Sequence, residues 1–181
     1  MMYVPYEDLW LIARRALKVK IVKESIIHPL PQDQDIDKLE GSFRVQLPNE
    51  YKEFLKRYNG CKVIDSTPLT IINKRCQIER FLGIVKNFSE HPCGEYDIGC
   101  CETSLGEQGR NFYDEDLIGS ELIPIAKLAW GDYLCLNFHY DKKNPSVDFL
   151  DYEESYECDP TTSKIADTFQ AFLSMLSSEN G

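Results

Sequence analysis

No stretch of this chain approaches the roughly 20 consecutive apolar residues that a membrane-spanning helix requires. A secretory pattern is also missing from the opening MMYVPYEDLWLIARR. Glu7 and Asp8 precede its apolar residues, and neither a long apolar run nor a small-residue cleavage site follows. These two absences lead to the expectation of a cytoplasmic protein without membrane association. Positive charge is short: 20 Lys and Arg stand against 30 Asp and Glu, for a net charge of −10. A basic face that would meet phosphates is therefore not expected, which argues against nucleic acid and against anionic membrane. Residues 1–60 hold ten Lys/Arg against nine Asp/Glu, and residues 61–181 hold ten against twenty-one, so the acidic surplus belongs to the second part. A complete set of disulfides is excluded within one chain, because the cysteines number seven and are irregularly spaced. Reduced thiols packed as small apolar groups are the expectation. Nucleophile-elbow, phosphate-loop and HExxH motifs are all lacking, as are internal repeats and low-complexity tracts.

What is present describes an ordinary globule. With 181 residues, 43% apolar and 12% aromatic, the chain suits one folded domain. A chain of this length buries roughly 70% of its unfolded surface and needs no covalent staple. From Pro5 to Lys18, Leu9, Ile12, Ala13, Ala16 and Leu17 recur at helical spacing. Pro29 and Pro31 then impose an extended connection. A short helix is expected over Asp33 to Gly41. The segment Leu47 to Gly60 predicts a helix with a defined start and stop. Pro48 and Glu50 suit its first turn, Tyr51, Phe54, Leu55 and Tyr58 make one apolar stripe, and Asn59-Gly60 ends it. Strands are expected over Pro68 to Asn73, Ile78 to Phe88, Ile123 to Ala126, Tyr133 to His139 and Val147 to Tyr152. Gly131-Asp132 and Asp141 to Ser146 supply turns between them. The polar stretch from His91 to Asp116 reads as a loop with room for one short helix. A last amphipathic helix is expected over Ser163 to Leu176. Short strand connections favour a single-domain α+β fold, a largely antiparallel mixed sheet with helices packed on one face.

In this order the elements resemble the SUKH superfamily. An acid-bearing early helix (Ile36, Leu39, Glu40) leads to Leu47, Pro48, Tyr51, Phe54 and Leu55, closed by Asn59 and Gly60. Ile123, Pro124, Ile125 and Ala126 follow much later, then Gly131, Asp132, Leu134, Cys135 and Leu136, and finally Phe169, Phe172 and Leu173. The likeness spans residues 33–178, so residues 1–32 become an N-terminal helix and lead-in, and residues 33–181 the SUKH-like domain of one globular unit. Cys61 stands where the family often has a second glycine, and the cysteines between residues 93 and 101 match no family feature. The resemblance implies a protein without catalytic residues or cofactors. It would be an immunity protein that binds and neutralises a cognate polymorphic toxin, expected to be a basic nuclease or similar effector. The alternative branch is a regulatory scaffold of the cell-wall-synthesis-regulator type. Either would be a monomer or weak homo-oligomer.

Four constellations are candidates for sites. Asp114, Glu115 and Asp116, together with Asp148, Asp151, Glu153, Glu154 and Glu157, form acidic runs interleaved with Tyr113, Tyr152 and Tyr156. They read either as a solvated face or as a rim for a basic protein partner. In Trp130-Gly131-Asp132, Trp130 is expected in the core or as a staple, with Asp132 capping its turn. His91, Cys93, Cys100 and Cys101 lack paired CxxC spacing, so no metal is expected. Cys135 and His139 share a strand face and could meet as a nucleophile and base, but they also fit as the second face of a sheet strand. Glu53 and Lys56 are expected to be bystanders on an exposed helix face.

Overall fold

The structure, a computed structural model, describes residues 19–64, 69–71, 74–107, 121–156 and 159–178. The expected helix from Pro5 to Lys18 and the acidic run at Tyr113 to Asp116 lie outside these residues, as does Glu157.

Strand β1 (Ile21–Val22) pairs antiparallel with β2 (Lys62–Val63), and between them run the first two described helices. Helix α1 (Asp33–Phe43) opens with the Gln32 N–H donating to Asp35 Oδ2 at 2.9 Å, which satisfies one of the donors a helix start leaves bare. It ends at Arg44, whose φ of 54° turns the chain out of the helix. Helix α2 (Asn49–Tyr58) forms for the reasons its sequence announces. Pro48 sits at its threshold, where Tyr51 and Lys52 N–H donate to its carbonyl at 3.0 Å. Tyr51, Phe54 and Leu55 are buried, and Gly60 takes the left-handed φ of 60° that ends the element. Glu40 joins the two helices by accepting from Leu47 N–H at 2.7 Å and Lys52 Nζ at 3.0 Å. Glu53 and Lys56 pair with each other at 3.4 Å on the outer side.

The main sheet has five antiparallel strands in the order β5-β6-β7-β8-β9. They are β5 (Ile78–Phe81), β6 (Leu122–Leu128), β7 (Tyr133–Asn137), β8 (Ser146–Tyr156) and β9 (Asp159–Ala166). The pleat sends Ile123, Leu134, Leu136, Val147 and Phe149 into the main core. There they meet α2 and α4 (Phe169–Ser178) through an aromatic cluster. Phe169 lies 5.0 Å from Tyr51 and 5.3 Å from Phe54, whose ring is 4.8 Å from Phe81. The opposite pleat positions Leu122, Cys135 and Leu150 pack with Leu105 of α3 (Ile98–Glu107). The α+β, largely antiparallel architecture expected from the sequence is the one observed, with α3 adding cover on the second face.

Four segments differ from the expectation. Residues 159–166, placed partly in the last helix, form β9. Thr161, Thr162 and Ile165 are β-branched, and pairing of Asp151↔Thr161, Leu150↔Thr162 and Phe149↔Ser163 decides for strand. Pro160 is tolerated because β9 is an edge strand. Helix α4 starts only at Phe169, where Thr168 Oγ1 accepts from Ala171 N–H at 3.1 Å. The strand expected to Phe88 stops at Phe81, because beyond it Gly83 leaves β6 and bridges Asp97 instead, and the chain then turns at Asn87, which has a φ of 53°. Of the strand expected over 68–73, Leu69–Ile71 forms β3 and pairs with β4 (Lys74–Cys76), a hairpin not anticipated. The polar stretch after His91 contains a 3-10 turn (Gly94–Tyr96) and the ten residues of α3.

Candidate protein-binding site

Register determines what lies at each end of the sheet. Lys127 pairs with Tyr133, Tyr133 with Leu150, and Leu150 with Thr162. The β6–β7 turn, the distal half of β8 and the start of β9 therefore emerge at one end. The turn is closed by backbone bonds, Leu128 N–H donating to Asp132 O at 2.8 Å and Gly131 N–H to Leu128 O at 3.3 Å, and Ala129 N–H ties it to Gln77 O at 2.9 Å. Trp130 projects from it, 93% exposed, with a φ of 84°. A bulky residue in this left-handed region costs on the order of 1–3 kcal/mol. Gly131 follows at a φ of 97°, with open space where a side chain would stand. The expectation of a core or staple tryptophan is thus corrected: a turn position at a sheet end leaves the ring no core to enter. Asp132 Oδ1 accepts from Tyr152 N–H at 3.0 Å, which ties the turn to β8.

Beyond Tyr152 the strand is irregular. Asp151 is only 8% exposed, and its Oδ1 accepts from Glu154 N–H at 3.1 Å. Its carbonyl accepts from the buried hydroxyl of Ser155, which takes Thr161 N–H at 3.0 Å. These bonds build the bulge between Asp151 and Tyr156. The bulge leaves Glu153 and Glu154 exposed, Tyr152 half-buried and Tyr156 69% exposed, with exposed Asp159 opposite Tyr156. Asp148 lies elsewhere. It is 3% exposed and accepts from Asn137 Nδ2 at 2.8 Å and Ser146 Oγ at 2.6 Å, so its carboxylate serves the sheet interior. Of the sequence candidates, Tyr152, Glu153, Glu154 and Tyr156 lie on the stretch of β8 at the sheet end that also carries Trp130. The structure assigns Asp148 and Asp151 to internal bonding.

The other end of the sheet has different chemistry. Buried Glu121 accepts from Lys142 Nζ and lies 2.5 Å from His139 Nδ1, while Tyr140, 78% exposed, stands edge-on to the His139 ring at 4.8 Å. Burial opposes ionisation of Glu121, but Lys142 and His139 outweigh it and hold the carboxyl below its ordinary range. His139 is therefore oriented by Glu121. Cys135, its proposed strand-mate, is fully buried, and burial drives its thiol pKa well above the ordinary value. Burial likewise pushes Cys61 and Cys101 up to about 12. A thiol so protonated is a weak nucleophile. His91 Nδ1 accepts from Cys93 N–H at 3.0 Å. Among the described residues no three His, Cys, Asp or Glu side chains converge as a metal site, and no helix is long and apolar enough to cross a membrane.

Two buried polar residues were not anticipated as organisers. Arg80 donates through Nε to Gly60 O at 2.6 Å and through Nη2 to Ser25 O, and its guanidinium lies 5.0 Å from the Tyr96 ring centre. Asp97 accepts from Val85 N–H at 2.8 Å and, at the start of α3, from Cys100 N–H at 3.1 Å. An arginine amid the apolar run IERFLGIV was the available signal for the first.

An antiparallel sheet backed by helices, with an aromatic and acidic sheet end, defines a single α+β domain. The chain belongs to the SUKH superfamily: the model of the SUKH_6 family, described as SMI1-KNR4 cell-wall, matches residues 33–173. The chain is also similar to the SPbeta prophage-derived uncharacterized protein YokK of Bacillus subtilis (strain 168). The two are 28% identical over 152 residues, covering 81% of this chain and 75% of that protein.

Proposed function

We propose that this protein acts without catalysis, as an immunity protein that binds and neutralises a cognate polymorphic toxin in the cytoplasm. Membership of the SUKH superfamily over residues 33–173 carries the reading, since this superfamily consists generally of non-catalytic immunity and regulatory proteins. The prophage origin in the name of the Bacillus relative is compatible with it. The net charge of −10 favours a basic toxin, whose own surface is built to meet phosphate. The proposed contact rim comprises Tyr152, Glu153, Glu154 and Tyr156, and includes the run Tyr113, Asp114, Glu115 and Asp116.

The description of the matched family as SMI1-KNR4 cell-wall favours a second reading, a regulatory scaffold of wall synthesis without a toxin partner. Co-expression with the polypeptide encoded beside it separates the two. Growth rescue from a toxic neighbour supports immunity, and a harmless neighbour supports the scaffold.

A further inference from the structure

We propose that Trp130 is the anchor of the binding interface and that its occupant is an arginine-bearing segment of a basic protein, seated on the indole and flanked by Glu153, Glu154 and Tyr156. The proposal rests on the binding reading above and names its site. A tryptophan ring 93% exposed on a folded domain forgoes the burial such a large apolar group ordinarily gains. Here it is also displayed from a left-handed backbone that glycine would adopt more readily. The turn is closed by main-chain bonds, Leu128 N–H to Asp132 O and Gly131 N–H to Leu128 O, and not by the Trp130 side chain. The exposure of Trp130 leaves a partner access to the ring.

Charge selects the occupant. The exposed carboxylates of Glu153, Glu154 and Asp159 emerge at the same sheet end as Trp130, while Lys142 and Lys143 lie beyond the opposite end of β7. A cation meets a group of exposed carboxylates at the first of these, whereas at the second Glu121 is taken by Lys142 and His139 and Asp141 accepts from the N–H groups of Lys143 and Asn144. Tryptophan is the best side chain for a cation–π contact, and arginine stacks on it as a plane while donating to carboxylates beside it. Tyr156, 69% exposed, adds a second aromatic of the kind that dominates binding energy at interfaces.

The test uses the full chain titrated with an acetylated hexa-arginine peptide at low salt, read through the tryptophan indole N–H signals in a 15N-labelled sample. The chain contains two tryptophans, Trp10 and Trp130, so loss of one signal in W130G assigns them. The expected result is a peptide-dependent shift of the Trp130 signal, with affinity falling at least tenfold in W130G and in E153K/E154K. W130G suits the purpose because glycine accepts the turn conformation; its melting temperature should hold or rise while binding falls. Peptide binding undiminished in W130G, a Trp130 signal unmoved while the peptide binds, or no binding would each overturn the proposal. None of these outcomes depends on whether a toxin exists. Conversely, a harmless genomic neighbour would remove the immunity reading and leave the peptide result intact.

Discussion

Asn59, the residue that ends α2, closes two hydrogen bonds with the backbone of Ile84: its Nδ2 donates to Ile84 O at 3.0 Å and its Oδ1 accepts Ile84 N–H at 2.8 Å. A third bond from Nδ2 to Ile27 O at 3.1 Å makes this side chain the junction of the lead-in, the helix and the segment after β5. Gly83 lies against it so closely that a Cβ there would stand 2.5 Å from Asn59 Oδ1 and 2.7 Å from Gly60 N. Asn59→Ala is expected to lower stability by roughly 2–4 kcal/mol, because it leaves several buried backbone groups unsatisfied. Gly83→Ala should cost about 1–3 kcal/mol through overpacking. Denaturant melts of the double variant should fall short of the sum, since removing Asn59 relieves part of the clash.

Tyr51 presents the opposite case. Its hydroxyl is buried and has no hydrogen-bond partner among the described residues, although its ring packs on Phe169 at 5.0 Å. Removing the oxygen while keeping the ring takes away a desolvated polar atom. Tyr51→Phe should therefore leave thermal stability unchanged or raise it by about 1 kcal/mol. A loss above that size would show that the hydroxyl has a partner.

Glu121 predicts a limb of acid instability. Its carboxyl is held below the ordinary value of 4.5 by Lys142 and His139 against the opposing effect of burial. A depressed folded pKa means that its contribution is present above the unfolded value and is lost as pH falls through the folded one. Stability should thus decline as pH falls below that ordinary value of 4.5. Glu121→Gln should be less stable near neutrality and flatter across that acid range, as read from urea midpoints at a series of pH values.

The acidic residues of β8 divide by burial. Asp148→Lys should cost roughly 3–5 kcal/mol, because a buried, doubly hydrogen-bonded carboxylate is replaced by an unpaired charge. Glu153→Lys and Glu154→Lys should each stay within about 0.5 kcal/mol of the native stability and weaken binding of a basic partner. Thermal melts alongside a binding titration check both halves.

Helix α2 was legible in full, since Pro48, the Tyr51–Phe54–Leu55 stripe and Gly60 are local signals that the packing then honours. Strands β6 and β7 and the Gly131-Asp132 turn were legible in kind, although β6 runs from Leu122 to Leu128 rather than Ile123 to Ala126 and β7 ends at Asn137 rather than His139. Strand β9 was not legible, because Pro160-Thr161-Thr162-Ser163 offers both helix-capping hydroxyls and β-branched side chains, and only pairing with β8 decides between them. In the run Asp148, Asp151, Glu153, Glu154, composition hides burial. Alternation puts Asp148 on the same pleat as Cys135 and Asn137, and Asp151 on the pleat of Val147 and Phe149. Trp130 was misread for a related reason: a tryptophan suggests core, yet its place beside Gly131 in a hairpin turn outweighs that tendency.

The most direct measurement is purification of the tagged protein from its native cell, followed by mass spectrometry and expression of whatever is recovered. One basic polypeptide at equal stoichiometry, toxic alone and harmless beside this chain, is the predicted result. Recovery of several wall-synthesis or signalling proteins, none of them toxic, would contradict it.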